Sequence, residues 1–214
     1  MPANKKTGTI SWTTNLAYAV GLIATDGNLS KDGRHLDFTS NDISLIKTFK
    51  KCLGLKNKIS KKRSGYTGRL SCHHVQFGDV VLYRWLCLIG LMPNKSKLLR
   101  KLNIPDTFFF DFLRGHLDGD GSIRKYHDPV YPKSLRLYVS FMSASLPHLL
   151  WIKEKVSKLL NIEGFVRKEP RAYELTYSKK NSIKLLSVLY PRADVPHLER
   201  KFLIVKQFIN FKPG

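Results

Sequence analysis

Residues 16–30 read LAYAVGLIATDGNLS, and residues 110–124 read FDFLRGHLDGDGSIR. Aligned on the last Asp-Gly of each, they match Gly21 with Gly115, Asp26 with Asp120 and Gly27 with Gly121, about half a chain apart. Such a repeat decides how every later segment is read. The order downstream repeats too. After the first copy come HLDFTS (35–40), an alternating strand, and NDISLIKTFKKCLGL (41–55), with helical apolar spacing. After the second come LRLYVSFMS (135–143) and LPHLLWIKEKVSKLLNI (146–162). A basic hairpin follows in each half, KISKKRSGYTGRLSCHH with Ser-Gly at its turn and GFVRKEPRAYELTYS with Glu-Pro there. DVVLYRWLCLIGL and NSIKLLSVLY supply the closing helices. Each half therefore reads helix, two strands, helix, two strands, helix. The expected fold is α+β, with two pseudo-symmetric halves at 1–92 and 107–214. The stretch 93–106 joins them, marked by Pro93 and Pro105, with a short helical piece between.

On a helix from Leu16 to Asp26, Ala17, Gly21, Ala24 and Thr25 fall near one face, as do Gly115 and Gly119 in the second copy. Small residues at that spacing let two helix backbones approach closely. The two segments are expected to pack side by side through Gly21 and Gly115 and to bring Asp26 and Asp120 to the same end. Gly27 and Gly121 stand where each helix ends, a position that favours a left-handed residue. Two carboxylates a few ångströms apart raise at least one pKa unless a cation lies between them. The negative ends of both helix dipoles add to that attraction. Hard oxygen donors suit Mg²⁺, with Mn²⁺ or Ca²⁺ as substitutes at the same site.

Composition points to the partner. Lys and Arg total 37 against 16 Asp and Glu, a formal charge of +21, so an acidic macromolecule is the expected ligand. On such a chain, paired carboxylates that attract a metal suggest phosphodiester hydrolysis. Hydrophobic residues make up 43% of the chain, enough for a real core and too many for wholesale disorder. Cys52, Cys72 and Cys87 are odd in number and not at ligand spacing, which argues for a reducing, intracellular setting without disulfides or zinc. No apolar run reaches the ~18 residues of a membrane span, and MPANKKTGTI lacks the apolar core of a signal peptide.

These segments resemble the LAGLIDADG homing endonucleases in their single-chain, two-motif form. The motif maps onto Ala19 to Gly27 and again onto Leu113 to Gly121, and each copy keeps five of its nine letters. The likeness runs from about residue 12 to about residue 212. Ala24 replaces the motif's first Asp, which Asp118 retains. The resemblance implies two αββαββα halves about a pseudo-twofold axis, with the motif helices at the interface and two four-stranded antiparallel sheets forming a saddle over the DNA major groove. It implies that Asp26 and Asp120 are the catalytic, metal-binding carboxylates, with Thr25 and Gly119 beside them. It also implies basic groups near each scissile phosphate: PNKSK points to Lys95 and HLERKF to Lys201. The expected activity is an Mg²⁺-dependent double-strand break in a long asymmetric DNA target, made by a monomer. The setting would be cytoplasmic in a prokaryote or organellar in a eukaryote.

Alternation assigns the groove-facing side chains. His35, Asp37 and Thr39 point outward opposite Leu36 and Phe38. Arg136, Tyr138 and Ser140 point outward, and Leu135, Leu137, Val139 and Phe141 inward. Arg69, Ser71 and His73 point outward, and Leu70 and Cys72 inward. Outward sets of Arg, Ser, Thr, His and Tyr are the kinds that read bases and phosphates. Lys31, Arg34, Arg124, Lys125, Glu174 and Thr176 extend that surface. The basic tips at Lys61, Lys62, Arg63, Arg167, Lys168 and Arg171 suit phosphates. His73 and His74, adjacent on a strand, cannot share one metal ion, and Tyr83 and Trp85 fit a core better than a base-stacking platform. A binding protein on the same fold, an intron RNA maturase or a non-cleaving DNA-binding regulator, is the alternative function. A ribosomal-type cationic protein would explain the charge without explaining the repeat.

Overall fold

The computed structural model describes residues 9–63, 68 and 72–210. The first half runs α1 (Thr14–Asp26), β1 (Gly27–Leu29), β2 (His35–Ser40), α2 (Ile43–Leu53), β3 (Ser60–Lys62), β4 (Cys72–Gly78) and α3 (Val80–Leu88). The second runs α4 (Asp106–Asp120), β5 (Gly121–His127), β6 (Leu135–Ser143), α5 (Leu146–Leu160), β7 (Phe165–Lys168), β8 (Tyr173–Ser178) and α6 (Lys180–Leu189), followed by α7 (Glu199–Val205). The connector carries one 3₁₀ turn, Lys95–Lys97. Each half thus follows the αββαββα order, and each sheet is antiparallel with its second and fourth strands central: β1-β2-β4-β3 and β5-β6-β8-β7.

Local chemistry starts and stops these elements. The Thr13 hydroxyl accepts from Leu16 N–H at 3.1 Å, and Asp42 and Asp79 cap α2 and α3 at 2.9 Å each. Gly54 closes α2 in the left-handed conformation at φ 63°. Helices cover one face of each sheet, where Leu36, Phe38, Val75 and Phe77 in the first half and Leu137, Val139, Phe141, Leu175 and Tyr177 in the second are buried. Tyr83 is buried and Trp85 packs edge-on against Trp12 at 4.7 Å, both structural roles. All three cysteines are free. Among the described residues, no helix is long and apolar enough to cross a membrane.

Six face assignments need correction: Leu135, Cys72, His73, Lys61, Lys125 and Lys168. Leu135 is 45% exposed, at the solvent end of its strand. In β4, Phe38 pairs with Val75 and Thr39 with His74, so His74 and Gln76 face outward with Cys72, while His73 shares the helix side. A one-residue slip inverts a whole strand. The buried Val75 and Phe77 set this register, whereas the sequence reading counted from Leu70. By the same register Lys61 lies opposite His73, and Lys62 takes the outward place. Lys125 pairs with Leu137 on the helix side, where its ammonium donates to the Gln207 side chain. Lys168 follows Val166 to that side as well. Arg69, Leu70 and Ser71 lie outside the described residues.

Candidate active site

Helices α1 and α4 meet backbone to backbone. A Cβ on Gly21 would stand 2.1 Å from the Phe112 carbonyl oxygen, and one on Gly115 would stand 2.0 Å from that of Tyr18. At the lower end of the pair a Cβ on Gly119 would meet Thr25 Oγ1 at 2.0 Å and Asp26 Oδ2 at 3.2 Å. The small-residue stripe therefore packs as its spacing predicts, and it sets the carboxylate of α1 against the last turn of α4.

Gly27 and Gly121 are not left-handed. Their φ angles are −81° and −103°, and the chain passes from helix directly into strand at both. Glycine is needed for room: a Cβ would lie 2.6 Å from the Ile23 Cα at Gly27 and 2.6 Å from Leu117 Cδ1 at Gly121.

The electrostatics of this end are unusual. Burial, then the neighbouring Asp120, pushes the Asp26 pKa up to about 7, against the pull of Lys95 and Lys201. Burial raises Asp120 too, and the same two lysines oppose it. Both lysines are themselves buried, at 6% and 3% exposure. Lys95 donates to the Gly27 carbonyl. Lys201 donates to Gly121 O at 2.7 Å, Asp118 O at 3.1 Å and Leu117 O. Each ammonium thus bonds carbonyls at or just beyond the C-terminal end of a motif helix. Burial lowers both lysine pKa values to about 8, with the aspartates holding them up. The result is a quasi-symmetric cluster of two acids and two bases. A recess beside Asp120 is lined by Thr25, Ser96, His116, Met142 and Ser143.

Behind the acids, Asp118 is fully buried and does not face them. Its carboxylate accepts from Tyr18 Oη at 2.7 Å, Tyr190 Oη at 3.3 Å and Leu198 N–H at 2.8 Å. Arg114, also fully buried, donates to the carbonyls of Pro196 at 2.8 Å and Leu189 at 2.6 Å, and to Asp111 at 2.7 Å. Among the described residues no three His, Cys, Asp or Glu side chains cluster as a metal site. A pair of carboxylates is too few for a zinc site and fits a hard cation that keeps most of its water.

The outward faces of the sheets complete the picture. On the first, Asp37 holds Lys62 and, at 3.0 Å, His74, while Thr39 stands beside Lys62 at 3.5 Å. His35 is bonded to Asp32 in the β1–β2 loop, which also carries the exposed Lys31 and Arg34. Arg63 is exposed, with its guanidinium on the Gly68 carbonyl at 3.2 Å. On the second face, Glu174 is buried and bonds Arg124 at 2.9 Å and Arg167 at 2.6 Å. Ser140 is covered by Ser122 and Arg124, and Thr176 is half-buried opposite it. Arg136 holds Asp128 and reaches Tyr138 Oη at 3.4 Å, and Arg171 is exposed at the β7–β8 turn. The sequence alone sets Lys62 among the basic tips and gives His74, Tyr126 and Phe165 no place on this surface. Alternation from Arg124 and Arg167 would have placed the last two outward.

Solved structures supply the comparison. The chain superposes on the homing endonuclease I-WcaI bound to its DNA recognition sequence with a TM-score of 0.65 and 11% identity, covering 100% of this chain and 96% of that one. This protein has the LAGLIDADG fold. LAGLIDADG meganuclease I-AabMI bound to uncleaved DNA matches with a TM-score of 0.61 at 16% identity, over 89% of this chain and 87% of that one. The fold is not confined to endonucleases by name. Full-length DUF199/WhiA from Thermatoga maritima matches with a TM-score of 0.59 and 13% identity over 96% of this chain, which spans 65% of that longer protein. No protein-family model and no curated protein matches the sequence. In the LAGLIDADG frame, the two motif copies identified from sequence are the helices that pack at the centre, and both Asp-Gly pairs lie at their C-terminal ends.

Proposed function

We propose that this chain is a site-specific DNA endonuclease that hydrolyses one phosphodiester in each strand of a long asymmetric duplex. The observation that carries the reading is the buried cluster of Asp26, Asp120, Lys95 and Lys201 at the junction of two sheets in a chain of charge +21. Asp26 and Asp120, with Thr25 and Gly119 beside them, would hold Mg²⁺. Bound there, the ion supplies charge stabilisation to the phosphodiester and acidity to water. The residues do the rest. Lys95 and Lys201 keep the helix ends neutralised and favour the ionised acids. The outward faces of β1–β8 orient the groove through polar and charged side chains, some of them on phosphates. One chain carries both motif helices, so a monomer suffices.

The test is cleavage, with Mg²⁺, of genomic DNA from an allele lacking the inserted gene, followed by sequencing of the ends. A unique double-strand break is expected. Asp26→Asn and Asp120→Asn should each reduce it about 100-fold or more, the scale for losing a group that acts at the reacting atoms. In metal-free buffer neither variant should lower the melting temperature, because burial already opposes each charge. Duplex binding should persist and weaken with salt at a log–log slope of about −0.9 per phosphate contacted. DUF199/WhiA, whose N-terminal domain is a LAGLIDADG domain and which is not named as an endonuclease, supports a second reading, a nucleic-acid-binding protein without cleavage. Salt-sensitive binding with no break by the wild type would select it, and intron RNA would be the next substrate tried.

A further inference from the structure

The outward face of the second sheet is aromatic, and among the described residues that of the first is not. Tyr126 and Tyr138 stack at 5.7 Å with their planes 11° apart. Across the face Phe165, opposite Thr176 in register, is 72% exposed, and Tyr126 is 47% exposed. These three rings line one recess together with Arg124, Arg167 and Thr176. The described outward residues of the first sheet are Asn28, His35, Asp37, Thr39, His74 and Gln76, with Ser60, Lys62 and Cys72 towards its edge, and no Phe, Tyr or Trp is among them.

The arginines beside the rings are engaged. Arg124 and Arg167 share the buried Glu174, and Arg136 is held by Asp128. A guanidinium already paired with a carboxylate is not free to offer its fork to the O6 and N7 of guanine. The Tyr138 hydroxyl is engaged as well, accepting from Arg136 at 3.4 Å. What this face offers a groove is ring carbon. The apolar feature of a base edge in the major groove is the thymine C5-methyl.

We propose that the second sheet reads thymine methyl groups through Phe165, Tyr126 and Tyr138, so that one half-site is thymine-rich and the other is read by polar side chains. The inference rests on the duplex-DNA partner of the reading above and not on cleavage. Duplexes would be selected from a random pool by binding in Ca²⁺ without Mg²⁺, and each thymine of the selected site then replaced by uracil, which removes the methyl alone. Binding should weaken about fourfold per methyl lost, in one half-site only. Phe165→Ala, at an exposed position, should bind the thymine and uracil duplexes more nearly alike, whereas Phe165→Leu should keep the discrimination. A selected site without thymine preference, or uracil tolerated throughout, overturns the proposal. Binding without cleavage leaves it standing and removes only the nuclease. No duplex binding at all removes both.

Discussion

The two motif helices share a shape and an acid, but they are made of different material. Val20, Leu22 and Ala24 in α1 correspond to Arg114, His116 and Asp118 in α4, and all six are buried. Two of the three polar residues of the second half, Arg114 and Asp118, fasten the segment that follows α6. Arg114 holds the carbonyls of Leu189 and Pro196, and Asp118 holds Tyr190 and the Leu198 N–H at the start of α7. That segment carries Lys201 to its place. In the first half Lys95 arrives on a connector already held between α3 and α4, and apolar packing is enough around α1. Symmetry is kept where both halves reach the same point, at the acids and the ammoniums, and released behind it.

The largest expected effect tests what the halves have in common. Gly21→Ala and Gly115→Ala each drive a Cβ into a main-chain oxygen that cannot swing aside. Each should cost about 3 kcal/mol or more, at or above the upper end of ordinary overpacking. Urea unfolding of the two variants measures this, and one tolerated glycine would break the symmetric interface. A second change makes α4 like α1 at one position. Asp118→Ala leaves two tyrosine hydroxyls and one buried N–H without an acceptor, and should cost about 3 kcal/mol. A loss under about 1 kcal/mol would mean that the network does not fasten the segment.

The last difference appears only on acidification and concerns His116 and His148, whose rings stack at 5.3 Å. Leu22 matches His116, and Leu45 holds the helix position that matches His148. Burial holds His148 down at about 4 and His116 well below its ordinary value. The unfolded chain therefore binds more protons than the folded one between about pH 4 and 6.5, so this contribution falls as pH falls through that window. The raised pKa values of Asp26, Asp118 and Asp120 act in the opposite sense. The informative quantity is thus the difference between wild type and the His116→Leu/His148→Leu variant. It should move in the variant's favour on acidification by up to ~1.4 kcal/mol per pH unit per histidine. A flat difference from pH 6.5 to 4 would place the histidines in contact with water.

Much of this was legible in the sequence because repetition is a one-dimensional signal. The order of elements, the paired small-residue helices and the two acids all follow from aligning one segment with another. Alternation worked for β2, where Leu36 and Phe38 leave no choice of face. It slipped in β4 because Cys72 is compatible with either side and only Val75 and Phe77 fix the pleat. The roles of Lys95 and Lys201 as plugs for helix-end carbonyls were not legible, since a lysine shows its burial only when distant carbonyls surround it. For the same reason Asp118 read as a motif letter. Its three partners are contributed by α1, by the residue after α6 and by the start of α7, and no local pattern joins them.

The contact of Gly21 with the main chain of α4, and of Gly115 with that of α1, has a consequence for how such a protein can change. A seam made of peptide atoms is indifferent to which side chains decorate the rest of either half. Substitutions on the two sheet faces therefore do not propagate through the seam, and the bonds of Tyr18 to Asp118 and of Arg200 to Asp42 are side-chain contacts that mark the two halves as a matched pair. One half can acquire a new groove-reading surface while the other, and the acids between them, stay as they are.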